Sequence, residues 1–188
     1  MTDDRRLLNV FFEVQRGLPR QGPGCDESTL QALALCRLPE RPAILEIGCG
    51  PGMQTVELAK AAGGRITAVD TSPEYLHELA ERAKAAGVAD RIDIVNGDMH
   101  DLPVAPASFD AIWSEGAAYI MGFRNALAAW WQFLKSDGVI AVTELVWLQP
   151  GPPAEAAAFF SSGASLALHC LVQQLPSAGS LASSGATP

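Results

Sequence analysis

"ILEIGCGPGMQT", residues 44–55, runs from an apolar stretch through three glycines and a proline into a helix-like segment. A strand that ends in glycines at the start of a helix offers backbone N–H groups and a positive helix end. It also lets a ligand approach without meeting a Cβ. In an open α/β sheet this place is the carboxyl edge of the first strand, where such sheets bind their ligands. Gly48, Gly50 and Gly52 run Gly-x-Gly-x-Gly with Pro51 inside, whereas the dinucleotide fingerprint is Gly-x-Gly-x-x-Gly, so the spacing is wrong for a pyrophosphate. No Gly-x-x-x-x-Gly-Lys-Ser/Thr occurs, which excludes a P-loop. A second strand ending at Asp70, about 20 residues on, puts a carboxylate where it can take both hydroxyls of a ribose. The order strand, turn, helix, strand with both features argues for a ligand that contains a nucleoside.

Outward from this stretch, short β-rich runs alternate with helix-period segments from about residue 43 to 148, the pattern of βαβ units on a parallel sheet. Strands are expected at Ala43 to Ile47, Ile66 to Asp70, Ile92 to Asn96, Phe109 to Ser114 and Val139 to Trp147. "MQTVELAKAAGG" reads as a helix ending at glycine, and "SPEYLHELAERAKAAG" as one with a Ser cap, Pro at its first position and a stop at Gly87. A third helix is expected from about Arg124 to Leu134, its "ALAAWWQFL" aromatics packing on the sheet rather than marking a cofactor box. Ahead of the first strand lie helix candidates at about Asp4 to Arg16 and Glu27 to Leu38, joined by "GLPRQGPGCDEST", either a plain linker or a lid over a ligand.

Five motifs then appear in order between residues 43 and 145: "LEIGCGPG", "ITAVD", "GDMHDLP", "FDAIWSEGAAYI" and "LKSDGVIAVTE". In this order they resemble the class I S-adenosylmethionine-dependent methyltransferases. The resemblance implies an α/β, three-layer Rossmann-like methyltransferase fold with a mostly parallel sheet. It divides the chain into N-terminal helices and a cofactor and substrate lid (1–42), a cofactor-binding core (43–160) and an atypical tail (161–188). It implies S-adenosyl-L-methionine as cofactor, with Glu46, Gly48, Cys49, Gly50 and Gly52 at its methionine part, Asp70 and Thr71 at the ribose, and Asp98 and Met99 at the adenine. Asp98 also sits in a turn, where Asp is common for other reasons. Ser114 ends the fourth strand beside the methyl group. Glu115 is a candidate general base or substrate anchor, with a helix-capping role as the alternative, and Tyr119 a candidate wall of the pocket.

Methyl transfer from a sulfonium is an in-line displacement, so alignment in a dry site matters more than any single catalytic group. Enzymes of this type that methylate nucleobase amines tend to carry Asn/Asp-Pro-Pro-aromatic where this chain has "SEGA". With a net charge of -8 and no basic patch, nucleic acid is excluded as a partner, and Arg5, Arg6, Arg16 and Arg20 read as a solvated helix face. The expected acceptor is a small molecule. A non-enzymatic, degenerate cofactor-binding module is the alternative, and a nicotinamide oxidoreductase a third reading that the glycine spacing disfavours. The N-terminus lacks the apolar core of a signal peptide and no run reaches a membrane span, so a cytoplasmic location is expected. Cys25, Cys36, Cys49 and Cys170 form no Cys-x-x-Cys pair, and His77, His100 and His169 show no ligand spacing, so no metal is expected.

The 33 residues from Ala156 to Pro188 contain no Asp, Glu, Lys or Arg. At the chain's own charged fraction, chance gives that about once in a thousand. One apolar helix around Ser165 to Leu175 and a disordered Ser/Ala/Gly remainder are expected, with no strand pair for the C-terminal β-hairpin that the family pattern carries. On this reading the tail beyond about Phe160 is not the segment the fold originally used, as after a frame shift or truncation. It would leave a sheet edge uncovered and open to association, a homodimer included.

Overall fold

Ile44 and Leu45 are neighbours in the sequence and both wholly buried, yet they belong to two different apolar clusters. Successive strand residues point to opposite faces, so a strand buried on both sides needs helices above and below it. In a computed structural model of the protein this is the arrangement found. It describes residues 10, 13–14, 17–144, 150–151, 153–155, 157 and 169–174, the last six as backbone only.

The strands are β1 (Ala43–Ile47), β2 (Arg65–Asp70), β3 (Ile92–Asn96), β4 (Phe109–Glu115), β5 (Leu134–Glu144) and β6 (His169–Gln174). The helices are α1 (Asp26–Leu35), α2 (Met53–Ala62), α3 (Pro73–Ala85) and α4 (Phe123–Trp130). The sheet order is β3-β2-β1-β4-β5-β6, with every pair parallel except β5 and β6. One apolar cluster joins Ile44, Ile66, Ala68 and Trp113 of the sheet to Leu58 of α2 and Leu79 of α3. The other joins Leu45, Ile47, Val69, Ile112 and Ile140 to Ala126 and Trp130 of α4. The expected three-layer, mostly parallel architecture is therefore present.

The helix ends follow their local chemistry. Ser72 Oγ accepts from the Tyr75 N–H at 3.3 Å with Pro73 opening α3, and Gly63, at φ 72, ends α2. α4 stops at Trp130, short of the expected Leu134, because Leu134 pairs with Phe109 and begins β5. β5 is irregular before Val139, with Asp137 at φ 66 and a register shift against β4. Of the bulky "WWQF" group, Trp130 and Phe133 are buried and Trp131 is exposed, so core packing accounts for two of its three aromatics.

Two expectations about the tail are corrected. His169–Gln174 is a strand, not part of a helix, and it pairs antiparallel with β5 from Val139↔Gln174 to Glu144↔His169. The edge of β5 is thus covered along that length. Among the described residues one strand stands where a hairpin was the family expectation. The remainder of the tail and most of the expected first helix, Asp4 to Arg16, lie outside the described residues. No helix among the described residues is long and apolar enough to cross a membrane.

Candidate active site

The strand order reverses between β1 and β4, so their connections leave in opposite directions and open a crevice at their carboxyl ends. A cavity of about 500 Å³ occupies that position. This is the size of a small-molecule site, for which roughly 300–1,000 Å³ is usual. Of the residues expected from the sequence, Gly48, Cys49, Gly50, Asp70, Thr71, Met99, Glu115 and Tyr119 line it, while Glu46, Gly52, Asp98 and Ser114 do not.

The glycine turn is held by its own protein and not by free donors. Gly48 and Cys49 N–H both donate to the Val69 carbonyl, at 2.8 and 3.1 Å, Gly50 N–H donates to Asp70 Oδ2 at 2.9 Å, and Gly52 N–H to the Cys49 carbonyl at 3.2 Å. The expectation that this turn presents free N–H groups to a ligand is therefore corrected for these four. What the turn leaves open is space. Gly50, at φ 54, has among the described residues only the Gln21 side chain within ordinary contact of where a Cβ would stand, its Cγ at 3.5 Å. Asp70 Oδ1 accepts from Ser72 N–H at 2.9 Å, so this carboxylate braces the turn on one oxygen and the start of α3 on the other while facing the cavity.

Beneath the turn lies Glu46, wholly buried, with neither carboxylate oxygen in a hydrogen bond. Its pKa is pushed up to about 8, first by burial. Thr55 and Gln54 oppose this, though neither meets the Glu46 oxygens in normal hydrogen-bond geometry; Glu115 adds to the rise and Arg20 opposes it. Thr55 Oγ1 and Gln54 Oε1 are buried without a partner as well. A concentration of unmatched acceptors beside a cavity is a place for a donor or cation to be received. The Cys49 thiol is held well above its usual range, by burial first and then by Glu46 and Asp70, so it is not a ready nucleophile.

Three other expected residues have structural work. The Ser114 hydroxyl donates to the Ile47 carbonyl at 2.9 Å, tying β4 to β1. Ser114→Ala is expected to cost about 1 kcal/mol of stability and leave ligand affinity unchanged, as paired denaturation and binding titrations would report. Asp98 is exposed, accepts from the His100 N–H at 2.9 Å and faces His100 Nδ1 at 2.7 Å, and has its pKa lowered by those bonds, the backbone one first. Its neighbours Gly97 and Met99 line the cavity, and the Met99 carbonyl is fixed by Trp130 Nε1 at 3.1 Å.

Glu115 accepts from Arg20 on Oε2, and from Thr29 Oγ1 and Trp113 Nε1, both at 2.8 Å, on Oε1. With both oxygens occupied, the reading of Glu115 as a general base loses its geometric basis; no helix is capped by it either. Arg20 is correspondingly buried in an ion pair and does not belong to a solvated face. With Gln21 and Gly22 it lines the cavity, as do Tyr75 and Ala117. Arg20, Gln21 and Gly22 come from the connector that the sequence left as a linker or a lid over a ligand, whereas Tyr75 and Ala117 were not singled out there.

The description "Methyltransferase domain" matches residues 44–138, just over half of the chain. The chain belongs to the class I S-adenosylmethionine-dependent methyltransferases. Among curated members it is 29% identical over 138 residues to 27-O-demethylrifamycin SV methyltransferase of Amycolatopsis mediterranei, covering 68% of this chain and 50% of that one. It is 29% identical over 148 residues to erythromycin 3''-O-methyltransferase of Saccharopolyspora erythraea, covering 70% of this chain and 48% of the relative. A methyltransferase from Thiobacillus denitrificans, solved with S-adenosyl-L-homocysteine, shares the fold at a TM-score of 0.72 and 23% identity, over 86% of this chain and 63% of that one. This methyltransferase chain spans about half the length of the two curated relatives.

Proposed function

We propose that the chain binds S-adenosyl-L-methionine in the cavity at the β1/β4 reversal and that its methyl group passes to a small-molecule acceptor. The observation that carries this reading is the pairing of Asp70, facing the cavity from the end of β2, with unpartnered Glu46 beneath the glycine turn. A nucleoside sulfonium with a free ammonium group needs a carboxylate for its ribose hydroxyls and an acidic environment for its positive charge. The residues fit that group. Asp70 and Thr71 take the ribose. Gly97 and Met99, both on the lining, would hold the adenine end, for which the Met99 thioether is a suitable apolar partner. Gly48 and Gly50 leave room for the methionine part, and Glu46 balances its charge.

Bound there, the cofactor supplies an electrophilic methyl group, and the chain's own residues orient it and exclude water. Glu115, at the end of β4, has both carboxylate oxygens in hydrogen bonds, which suits an acceptor whose reacting atom is already nucleophilic. Tyr119 and Ile120, about half exposed at the rim, offer an apolar seat, while Asp70, Glu74 and Glu115 outnumber Arg20 as charges on the lining. That balance favours a neutral or cationic acceptor with an apolar body over an anionic one. The two curated relatives act, by their names, on a demethylrifamycin and on an erythromycin compound.

Calorimetric titration of S-adenosyl-L-methionine and S-adenosyl-L-homocysteine into the chain tests the reading. Binding in the micromolar range is expected, weakened at least tenfold by Asp70→Ala. Asp70→Ala also removes two backbone braces, so Asp70→Asn, which keeps the shape, is titrated beside it. A folded wild-type chain that binds neither compound would overturn the proposal.

A further inference from the structure

We propose that Arg20 and Glu115 form a clasp that holds the strap Leu18–Pro23 across the cavity, and that opening of this clasp admits and releases the cofactor. The clasp joins elements far apart in the sequence. From the strap, Arg20 Nη1 donates to Glu115 Oε2, and Nη2 donates to Asp26 Oδ1 at 3.2 Å and Thr29 Oγ1 at 3.3 Å on α1. At the end of β4, Glu115 gathers the further donors Thr29 Oγ1 and Trp113 Nε1 on its other oxygen. Both charged side chains are more than nine-tenths buried, at 8% and 4% exposure.

Backbone contact completes the hold on that side. A Cβ on Gly22 would stand 3.2 Å from the Glu115 carbonyl oxygen and 3.3 Å from Gly116 Cα, and one on Gly116 would stand 3.1 Å from Gly22 Cα. The strap therefore lies flat against the end of β4. On its other side Gln21 lies over Gly50 and its Oε1 accepts from the Tyr75 hydroxyl at 3.3 Å. The strap thus runs from β4, over the glycine turn, toward α3.

The ends of the strap are built to turn. Gly17, at φ 80, has nothing among the described residues within 4 Å of a would-be Cβ, and Gly24 stands at φ 128. Hinges are positions that absorb large changes in φ and ψ, and glycine does so at least cost. A segment between two such glycines moves as a unit once its strongest contact yields. That contact is the Arg20–Glu115 pair, because removing one partner leaves the other charge buried and uncompensated. Arg20 and Glu115 are thereby positioning residues. Their effect on the reaction runs through the strap that walls the site.

The clasp itself is independent of the ligand's identity, while its gating role rests on the cofactor reading proposed above. Two measurements separate them. In hydrogen exchange of the unliganded chain, Glu115→Gln is expected to speed exchange of the strap amides at least tenfold while β1 and β2 keep the wild-type rate. In stopped-flow displacement, S-adenosyl-L-homocysteine is expected to leave Arg20→Gln and Glu115→Gln at least tenfold faster than wild type. Arg20→Lys, which keeps the charge but not the fork, is expected to fall between. If Arg20→Gln fails to fold, Arg20→Lys and Glu115→Gln carry both measurements. Strap exchange within twofold of wild type in a folded variant would overturn the clasp, as would acceleration spread equally over the sheet. Faster strap exchange with an unchanged dissociation rate would overturn the gating role. A wild-type chain that does not bind S-adenosyl-L-homocysteine would overturn gating together with the cofactor reading, leaving the clasp to be judged by exchange alone.

Discussion

Glu46→Gln is expected to stabilise the unliganded chain by an amount that grows from near zero below about pH 4 to a plateau above about pH 8. Glu46 is wholly buried with both oxygens unpartnered, and burial raises its pKa from 4.5 to about 8. Below about pH 4.5 the carboxyl is neutral whether the chain is folded or not, so the glutamine replaces like with like. Between the two values the unfolded chain releases its proton and the folded one retains it, so wild-type stability falls as pH rises. Above the folded value the carboxylate is charged in both states and the loss is complete, at roughly 5 kcal/mol. Glutamine never titrates and escapes the loss.

The difference in unfolding free energy between the two proteins, measured by denaturant from pH 5 to pH 9, reads this directly. A difference that does not change with pH would sink the account of Glu46. The same substitution is expected to weaken cofactor binding, since a neutral amide cannot balance a cationic ligand. Proteins commonly hold such destabilising groups where a ligand needs them. Wild-type binding near pH 7 should then release a proton, seen as a dependence of the calorimetric heat on the buffer's ionisation enthalpy, and Glu46→Gln should abolish that dependence.

How much of this was legible in the sequence depends on the range of the interaction that decides each element. The bounds of β1 and β3 matched because their residues are mostly apolar or β-branched and flanked by turn formers, all local information. α3 likewise carries its own cap in Ser72 and Pro73. The turn after β1 was visible as a ligand-approach site, but the fate of its N–H groups was not. The acceptor for two of them is the Val69 carbonyl on β2, which no reading of residues 44–55 can supply.

Arg20 was misjudged for the same reason. Its partner lies 95 residues away, and only the sheet brings them together. The stretch around Leu171 shows no period-two pattern, so a helix was the natural reading. The open edge of β5 decides otherwise, offering unpaired backbone groups that an extended segment can satisfy.

Gly52→Ala and Gly50→Ala are expected to have opposite consequences, although the two residues stand two apart in one turn. Gly52, the residue before α2, adopts φ 83 and ψ 22, and a Cβ there would lie 2.9 Å from both Cβ and Cγ of Leu79, itself wholly buried in α3. An alanine would meet the steric cost of left-handed backbone, about 1–2 kcal/mol, and that of an overfilled core, about 1–3 kcal/mol. The expected loss of about 2–5 kcal/mol is a large part of the stability of an ordinary domain. Gly50, at φ 54, would incur the backbone cost alone, since its nearest neighbour stands at 3.5 Å on the movable Gln21 side chain. Its new methyl would project toward the cavity, where a ligand must pass. Gly50→Ala is therefore expected to lower affinity for S-adenosyl-L-homocysteine at least tenfold with a stability loss of only about 1–2 kcal/mol, and Gly52→Ala to lower melting more sharply while the folded fraction binds normally. The cause at Gly52 can be isolated through its neighbour. In the double variant Gly52→Ala/Leu79→Ala the added methyl finds the space the leucine vacated, so the loss should fall short of the sum of the single losses by 1 kcal/mol or more. Strict additivity would show that the strain lies in the backbone and that packing against α3 is not the reason residue 52 is glycine.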